Sequence, residues 1–473
     1  MNEEKIITPE DIAELLREKR YVELKNILSE MNAADIASLF EELDVNELVI
    51  VYRLLPKDLA ADTFVEIEPD NQETLIHSFS DSELKEIMDE LYLDDTVDII
   101  EEMPANVVKR ILRSTDADTR SKINQILRYP EDSAGSIMTI EFVRLKKNMT
   151  VSEALTRIRR TGVDKETIYT CYVTEESNNK LIGLITAKAL LLADEDDVIG
   201  DIMETNVIYV NTHQDKEEVA GFFDKYHFLA LPVVDEENRL VGIVTVDDAI
   251  EVITDEATED IELMAAIIPG EKPYLKTGVF ETWKSRIPWL MLLMLSSAFT
   301  GKIISSFESA LSACVILTAY IPMLMGTGGN SGGQSSVTII RALSLNDVEM
   351  GDIFRILWKE TRVALACGVT LGIANFVKMM IFDKGDILAS VGEGAAFLVG
   401  MPEFQVAVLV SLVVCIALVV TVFCAKVVGA ALPVLVKRIG LDPAVMASPI
   451  VTTLVDAISL LVYFEIASRL LGI

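Results

Sequence analysis

Hydrophobic residues follow three successive patterns along this chain of 473 residues. Up to about residue 130 they recur every three or four positions with almost no β-rich run, the period of amphipathic helices. The pattern repeats. LFEELDVNELVIVYRLLPKDLAADTF, residues 39–64, aligns without gaps on IMDELYLDDTVDIIEEMPANVVKRIL, residues 87–112. Leu43 falls on Leu91, Val49 on Val97, Pro56 on Pro104 and Phe64 on Leu112. A helical unit of this size buries its apolar face only by stacking on a neighbour, so the spacing predicts a helical superhelix.

Between about 137 and 254 the period shortens to β-rich runs alternating with helices, again in two copies. The first holds IMTIEFVRLKKNMTVSEALTRIRR and IYTCYVTEESNNKLIGLITAKALL. The second holds IMETNVIYVNTHQDKEEVAGFFDK and LALPVVDEENRLVGIVTVDDAIEVI. Each reads as a leading segment, an amphipathic helix, a hairpin and a closing helix. This doubled arrangement resembles a tandem pair of CBS domains, a module that binds nucleotides or metal ions in its cleft. In nucleotide-binding copies the hairpin is followed by Thr/Ser-x-x-Asp, whose carboxylate holds a ribose. Thr245-Val246-Asp247-Asp248 supplies Asp248 for ATP in the second copy, whereas the first has Ala189 at that place.

Five apolar segments follow, at about 285–306, 310–341, 353–381, 403–431 and 444–470, each long enough to cross a bilayer as a helix. The chain is thus expected to be multidomain: an all-α helical superhelix over 1–130, an α/β CBS pair over 131–254, an acidic connecting helix over 255–280 and an all-α five-span transmembrane domain over 281–473. Basic residues favour one orientation. With the N-terminus cytoplasmic, Lys284, Arg286, Arg341, Arg355, Lys359, Arg362, Lys437 and Arg438 fall inside, and Lys302, Lys378, Lys384 and Arg469 outside. The C-terminus is then outside, and the charged N-terminal segment lacks the apolar core of a signal peptide.

Charge sharpens this division. The formal net charge is −33, and residues 281–473 are neutral, so the whole excess lies on the first 280 residues. Such a surface repels nucleic acid and attracts cations. Five Cys without a CxxC pair and three His argue against a disulfide framework or a zinc site. No Gly-x-x-x-x-Gly-Lys-Ser/Thr loop is present, so no ATPase is indicated. No set of nucleophile and base marks an enzyme.

Two membrane segments carry candidate chemistry. In the second, Gly326, Gly328, Gly329, Gly332 and Gly333 crowd eight positions, at a cost of roughly 1 kcal/mol each relative to Ala in a helix. Asn330 and Gln334, four apart, would share a face there. Close helix packing through glycine and the lining of a pore or gate both fit. In the last segment Asp456 is the sole charge between residues 443 and 464. A carboxylate at mid-membrane costs roughly 2.5–3.5 kcal/mol and normally faces a bundle interior or a watery path. Ser448 and Thr452 recur before it at four-residue spacing, giving a stripe of oxygens that suits hard cations.

These features together resemble the MgtE family of magnesium transporters over nearly the whole chain. The most specific matches are residues 322–334, Asp442-Pro443-Ala444 and Thr453-Leu454-Val455-Asp456. The resemblance implies a homodimer in the plasma membrane, in contact with lipid on its outer face, that forms a Mg²⁺-selective pore. Asp456 would be the selectivity carboxylate and Thr452 would offer its backbone carbonyl; Ser448 stands where the best-matching relatives carry Asn. It also implies that cytosolic Mg²⁺, bound at Asp94, Asp98, Glu217, Asp248, Glu256, Glu259, Asp260 and Asp442, holds the pore shut through a plug helix. His227 replaces an acidic residue at one expected position. The competing reading is a membrane-anchored Mg²⁺ or nucleotide sensor that does not conduct.

Overall fold

The computed structural model describes residues 7–471 apart from 271, 273, 346, 390–400 and 447. It divides into two units, Met1–Ile253 and Thr254–Ile473, each described by itself.

The first unit begins with short helices running from Pro9–Arg17 to Ala117–Ile126. Their starts are written in the sequence. Thr8 and Asp11, and Ser80 and Glu83, close reciprocal capping boxes, which satisfy backbone N–H groups left open at a helix start. The repeat found above is structural: Pro56 caps Lys57–Val65 and Pro104 caps Ala105–Ser114. Phe40, Phe64, Leu75, Val97 and Ile111 lie in one continuous apolar core, with Leu43 and Leu91 packed against it.

The two following copies each form a three-stranded sheet. Strands β1 (Phe142–Lys146), β2 (Thr167–Thr174) and β3 (Leu181–Thr186) are matched by β4 (Val210–Asn211), β5 (Ala230–Val234) and β6 (Leu240–Thr245). In both, the first pair is parallel and the second antiparallel. Gly183 and Gly242 occupy equivalent hairpin positions, where a β-carbon would lie 2.6 Å from the sulfur of Met203 and of Met138 respectively. Each methionine belongs to the other copy's leading segment, so the paired IMET and IMTI sequences explain the paired glycines. Asn179 and Asn238, both with φ of 60°, turn the hairpins. Leu181 donates its N–H to the Asn238 carbonyl and Leu240 to that of Asn179, both at 3.1 Å. Each hairpin is thereby completed by the other.

In the second unit, four stretches among the described residues are long and apolar enough to cross a membrane: Val279–Ser306, Met350–Ala389, Glu403–Arg438 and Pro449–Leu471. The second predicted segment, at about 310–341, is a continuous helix of 29 residues, Ile316–Ser344, whose glycines and hydroxyls lower its hydropathy. The glycines do not break it. Close packing offsets their poor helix propensity: a β-carbon at Gly329 would lie 2.8 Å from the Thr452 methyl, and one at Gly332 would lie 2.9 Å from Val451. Buried side chains of this glycine helix, the long helix Glu403–Arg438 and the C-terminal helix Ser448–Leu471 share an apolar core around Leu324, Val414, Leu460 and Tyr463.

Candidate ion path and carboxylate clusters

The C-terminal helix carries the predicted oxygen stripe. Thr452 lies against Gly329 of the glycine helix. Asp456, one turn on, is half-buried, and its Oδ1 is shielded from solvent without a hydrogen-bond partner. Such an oxygen is costly unless something else satisfies it. Ser448 opens this helix, but its side chain lies outside the described residues.

The glycine helix has two different faces. A β-carbon at Gly328 would come within 2.8 Å of Ser459 Oγ and 2.9 Å of the Thr421 methyl, so this glycine serves close packing. Asn330 and Gln334 do share a face, away from that contact and exposed. With Gly333, Val337 and Thr338 they line an open groove of about 570 Å³. Gly328 is therefore not brought to the same side as the polar pair.

In the first unit the helix Leu93–Glu102 gathers acids. Asp94 is 6% exposed, and its Oδ1 has no hydrogen-bond partner. Burial and then the charge of Asp248 push its carboxyl well above the ordinary range. Burial followed by Asp248 and Asp247 pushes Asp95 up to about 7. Asp98 keeps solvent-accessible surface on the same helix, yet burial, then the charges of Asp248 and Glu251, push it up to about 8. Asp248 is itself raised, mainly by burial, although Thr245 donates to its Oδ2 from both the hydroxyl (2.6 Å) and the N–H (3.3 Å). In the first copy Thr186 Oγ instead accepts from the Ala189 N–H. Glu217 is exposed on Lys216–Tyr226, its N–H donating to Asp215.

Sequence reasoning missed Glu166 here. Burial, then Asp247 and Asp95, push it up to about 8, and its Oε2 is buried without a partner. It stands just before β2 in a polar stretch with no pattern to mark it. Nearby, Glu141 accepts the Leu93 N–H at 3.3 Å. Among the described residues, no three His, Cys, Asp or Glu side chains are close enough together to chelate a metal directly. The cluster offers crowded charge, suited to a hydrated cation, and no ready-made inner-sphere cage.

The second unit holds the other predicted acids. Glu256, Glu259 and Asp260 lie on the helix Val246–Met264, whose Leu263 and Met264 pack against Ile340 and Ala444. Asp260 accepts a long 3.5 Å hydrogen bond from Ser344. Burial, then the charges of Asp442 and Glu259, raise its carboxyl despite that bond. Asp442 accepts from the Ala444 N–H at 2.7 Å.

One further polar group escaped the sequence reading. Ser335 of the glycine helix donates to Glu360 Oε2 at 2.6 Å and accepts from Lys426 Nζ at 3.4 Å. Lys426 follows directly on an apolar run and reads there as its end.

Comparison with known proteins agrees with this organisation. The family model for divalent cation transporters matches residues 321–466, that for the MgtE intracellular N domain matches 31–132, and that for the CBS domain matches 134–196 and 199–255. The chain is 38% identical to the magnesium transporter MgtE of Thermus thermophilus, over 97% of this chain and 98% of that one. It is 31% identical to the magnesium transporter MgtE of Bacillus subtilis, over 96% and 95%. A solved cytosolic domain of the Mg²⁺ channel MgtE in complex with ATP is 38% identical, covering 52% of this chain and 99% of that one with a TM-score of 0.49. With its helical domain, CBS pair and apolar helices matched in order to whole magnesium transporters, this membrane protein is a transporter and not an enzyme, and it belongs to the MgtE family.

Proposed function

We propose that the chain is a Mg²⁺-selective, channel-like transporter of the plasma membrane, closed by cytosolic Mg²⁺. It works as a homodimer with five spans per subunit, the N-terminus in the cytoplasm and the C-terminus outside. The stacked N-terminal helices wind as a superhelical arm.

The observation that carries the pore reading is Asp456, a carboxylate on a membrane helix with one shielded, unsatisfied oxygen. A passing cation supplies what that oxygen lacks. Mg²⁺ gives up water reluctantly and keeps octahedral coordination, so two Asp456 carboxylates, one per subunit, grip it through its inner-shell waters. Their summed charge favours a divalent ion, and the outer-sphere contact lets it leave. Thr452 contributes its backbone carbonyl and Ser448 its place at the helix start. Asn330 and Gln334 line the approach, and Gly328 sets the spacing of the two helices.

Closure is the task of the acids outside the membrane. Asp94, Asp98, Glu217 and Asp248, joined by Asp95 and Glu166, hold regulatory Mg²⁺ in the first unit. Glu256, Glu259, Asp260 and Asp442 do so in the second. Without the ion these carboxylates repel one another, and with it they draw together. ATP has weaker support as a ligand of the CBS pair. Its ribose-binding candidate Asp248 is already engaged by Thr245, and the first copy has Ala189.

The test is Mg²⁺ flux into liposomes holding the full chain. Asp456→Ala should abolish most of it, and unchanged flux would refute the assignment. Single-channel recording excludes the non-conducting sensor if currents appear and close as internal Mg²⁺ rises.

A further inference from the structure

Two charges lie inside the membrane unit where an apolar bundle should have none. Glu360 is 8% exposed and Lys426 5%. They sit on different helices, Ile353–Lys378 and Glu403–Arg438, and a third helix supplies the hydroxyl between them. Ser335 donates to Glu360 at 2.6 Å while accepting from Lys426 at 3.4 Å. A buried ionisable residue in a membrane helix is costly and needs a partner; here each charge has the same one.

The position of this relay matters more than its existence. Gly332, one turn before Ser335, is where the glycine helix meets both neighbours. A β-carbon there would lie 3.2 Å from the Ala425 carbonyl, 2.9 Å from Val451 and 3.2 Å from Val455. Ala425 precedes Lys426, and Val455 precedes Asp456. Gly429, one turn after Lys426, touches the Gly332 backbone. The polar relay therefore pins the helix crossing that seats the Asp456 helix.

We infer that Glu360, Ser335 and Lys426 are positioning residues that fix the glycine helix against the C-terminal helix, and so set the discrimination between divalent cations at Asp456. The inference rests on the pore reading. A relay that only strengthens the bundle would alter stability and leave ion preference untouched. One that fixes the crossing alters the preference, because a displaced Asp456 changes the fit to a hydrated ion.

The experiment compares Mg²⁺ and Ca²⁺ flux through the full chain in liposomes, read as a ratio that does not depend on how much protein has folded. Ser335→Ala breaks the relay without adding bulk and should shift the ratio by about threefold or more. Ser335→Thr keeps the hydroxyl and should hold the parental ratio. Glu360→Gln alone strands a buried lysine charge and endangers folding; the double variant Glu360→Gln, Lys426→Met removes both charges and should shift the ratio as Ser335→Ala does. A parental ratio in both Ser335→Ala and the double variant overturns the inference. Asp456→Ala, measured in parallel, separates the two readings. If it conducts like the parent, the pore assignment has failed, whatever the ratios show; if it abolishes flux, unchanged ratios count against the relay alone.

Discussion

Gly332 and Gly429 meet backbone to backbone. A β-carbon built on Gly429 would overlap the Gly332 carbonyl, and neither helix can move aside without disturbing its other contacts. Gly429→Ala should therefore destabilise the membrane unit by about 1–3 kcal/mol, the cost of overpacking a well-filled core. Thermal unfolding of the detergent-solubilised protein measures it. Gly221, where a β-carbon meets nothing within 4 Å, is the control, and Gly221→Ala should not lower the midpoint.

The acid cluster makes the first unit sensitive to pH. Glu166 and Asp95 bind protons more tightly when folded, with values of about 8 and about 7, than in the unfolded chain. The folded state thus carries extra protons above the ordinary carboxylate range, and stability falls as pH rises through those values. In metal-free buffer the helix Leu93–Glu102 should be better protected from hydrogen exchange at pH 5 than at pH 8.5. Millimolar Mg²⁺ should flatten the difference. A protection that rises with pH would contradict the assignment.

Glu166 belongs to the regulatory site if its charge helps to hold the ion. Glu166→Gln should raise the internal Mg²⁺ needed for half-closure by about fivefold, a coupling near 1 kcal/mol. The same variant should reduce the pH dependence just described, since one of the titrating groups is gone. Flux measured against internal Mg²⁺ gives the first quantity; an unchanged half-closing concentration would remove Glu166 from the site.

In the second unit, Asp260 is raised by burial and by Asp442, so a cation between them would relieve repulsion. Neutralising Glu256, Glu259 and Asp260 together should leave flux high at millimolar internal Mg²⁺. Closure at the parental concentration would count against a plug operated by these acids.

Much of this was readable before any coordinates. Pro56 and Pro104 mark equivalent helix starts because proline lacks only an N–H that the first turn does not use. Paired hairpins showed because strand alternation is a local signal and the pattern occurs twice. Asp456 stood out because charge is costly in lipid. What escaped depends on distant contacts. Glu166 is an ordinary surface acid until the fold sets it beside Asp247 and Asp95. Lys426 reads as the end of an apolar run until Ser335 and Glu360, 91 and 66 positions away, enclose it. The glycine run allowed two readings, packing or lining, and the helix uses opposite faces for Gly328 and for Asn330 with Gln334.

The exchanged hydrogen bonds between the hairpins at Asn179 and Asn238 have a mechanical consequence. Neither copy can shift without dragging the other's turn, so a load placed on one copy is carried by both. Asp248 in the second copy and Ala189 at the matching place in the first thus sit on one body, and whatever pulls on that carboxylate moves the half that lacks one.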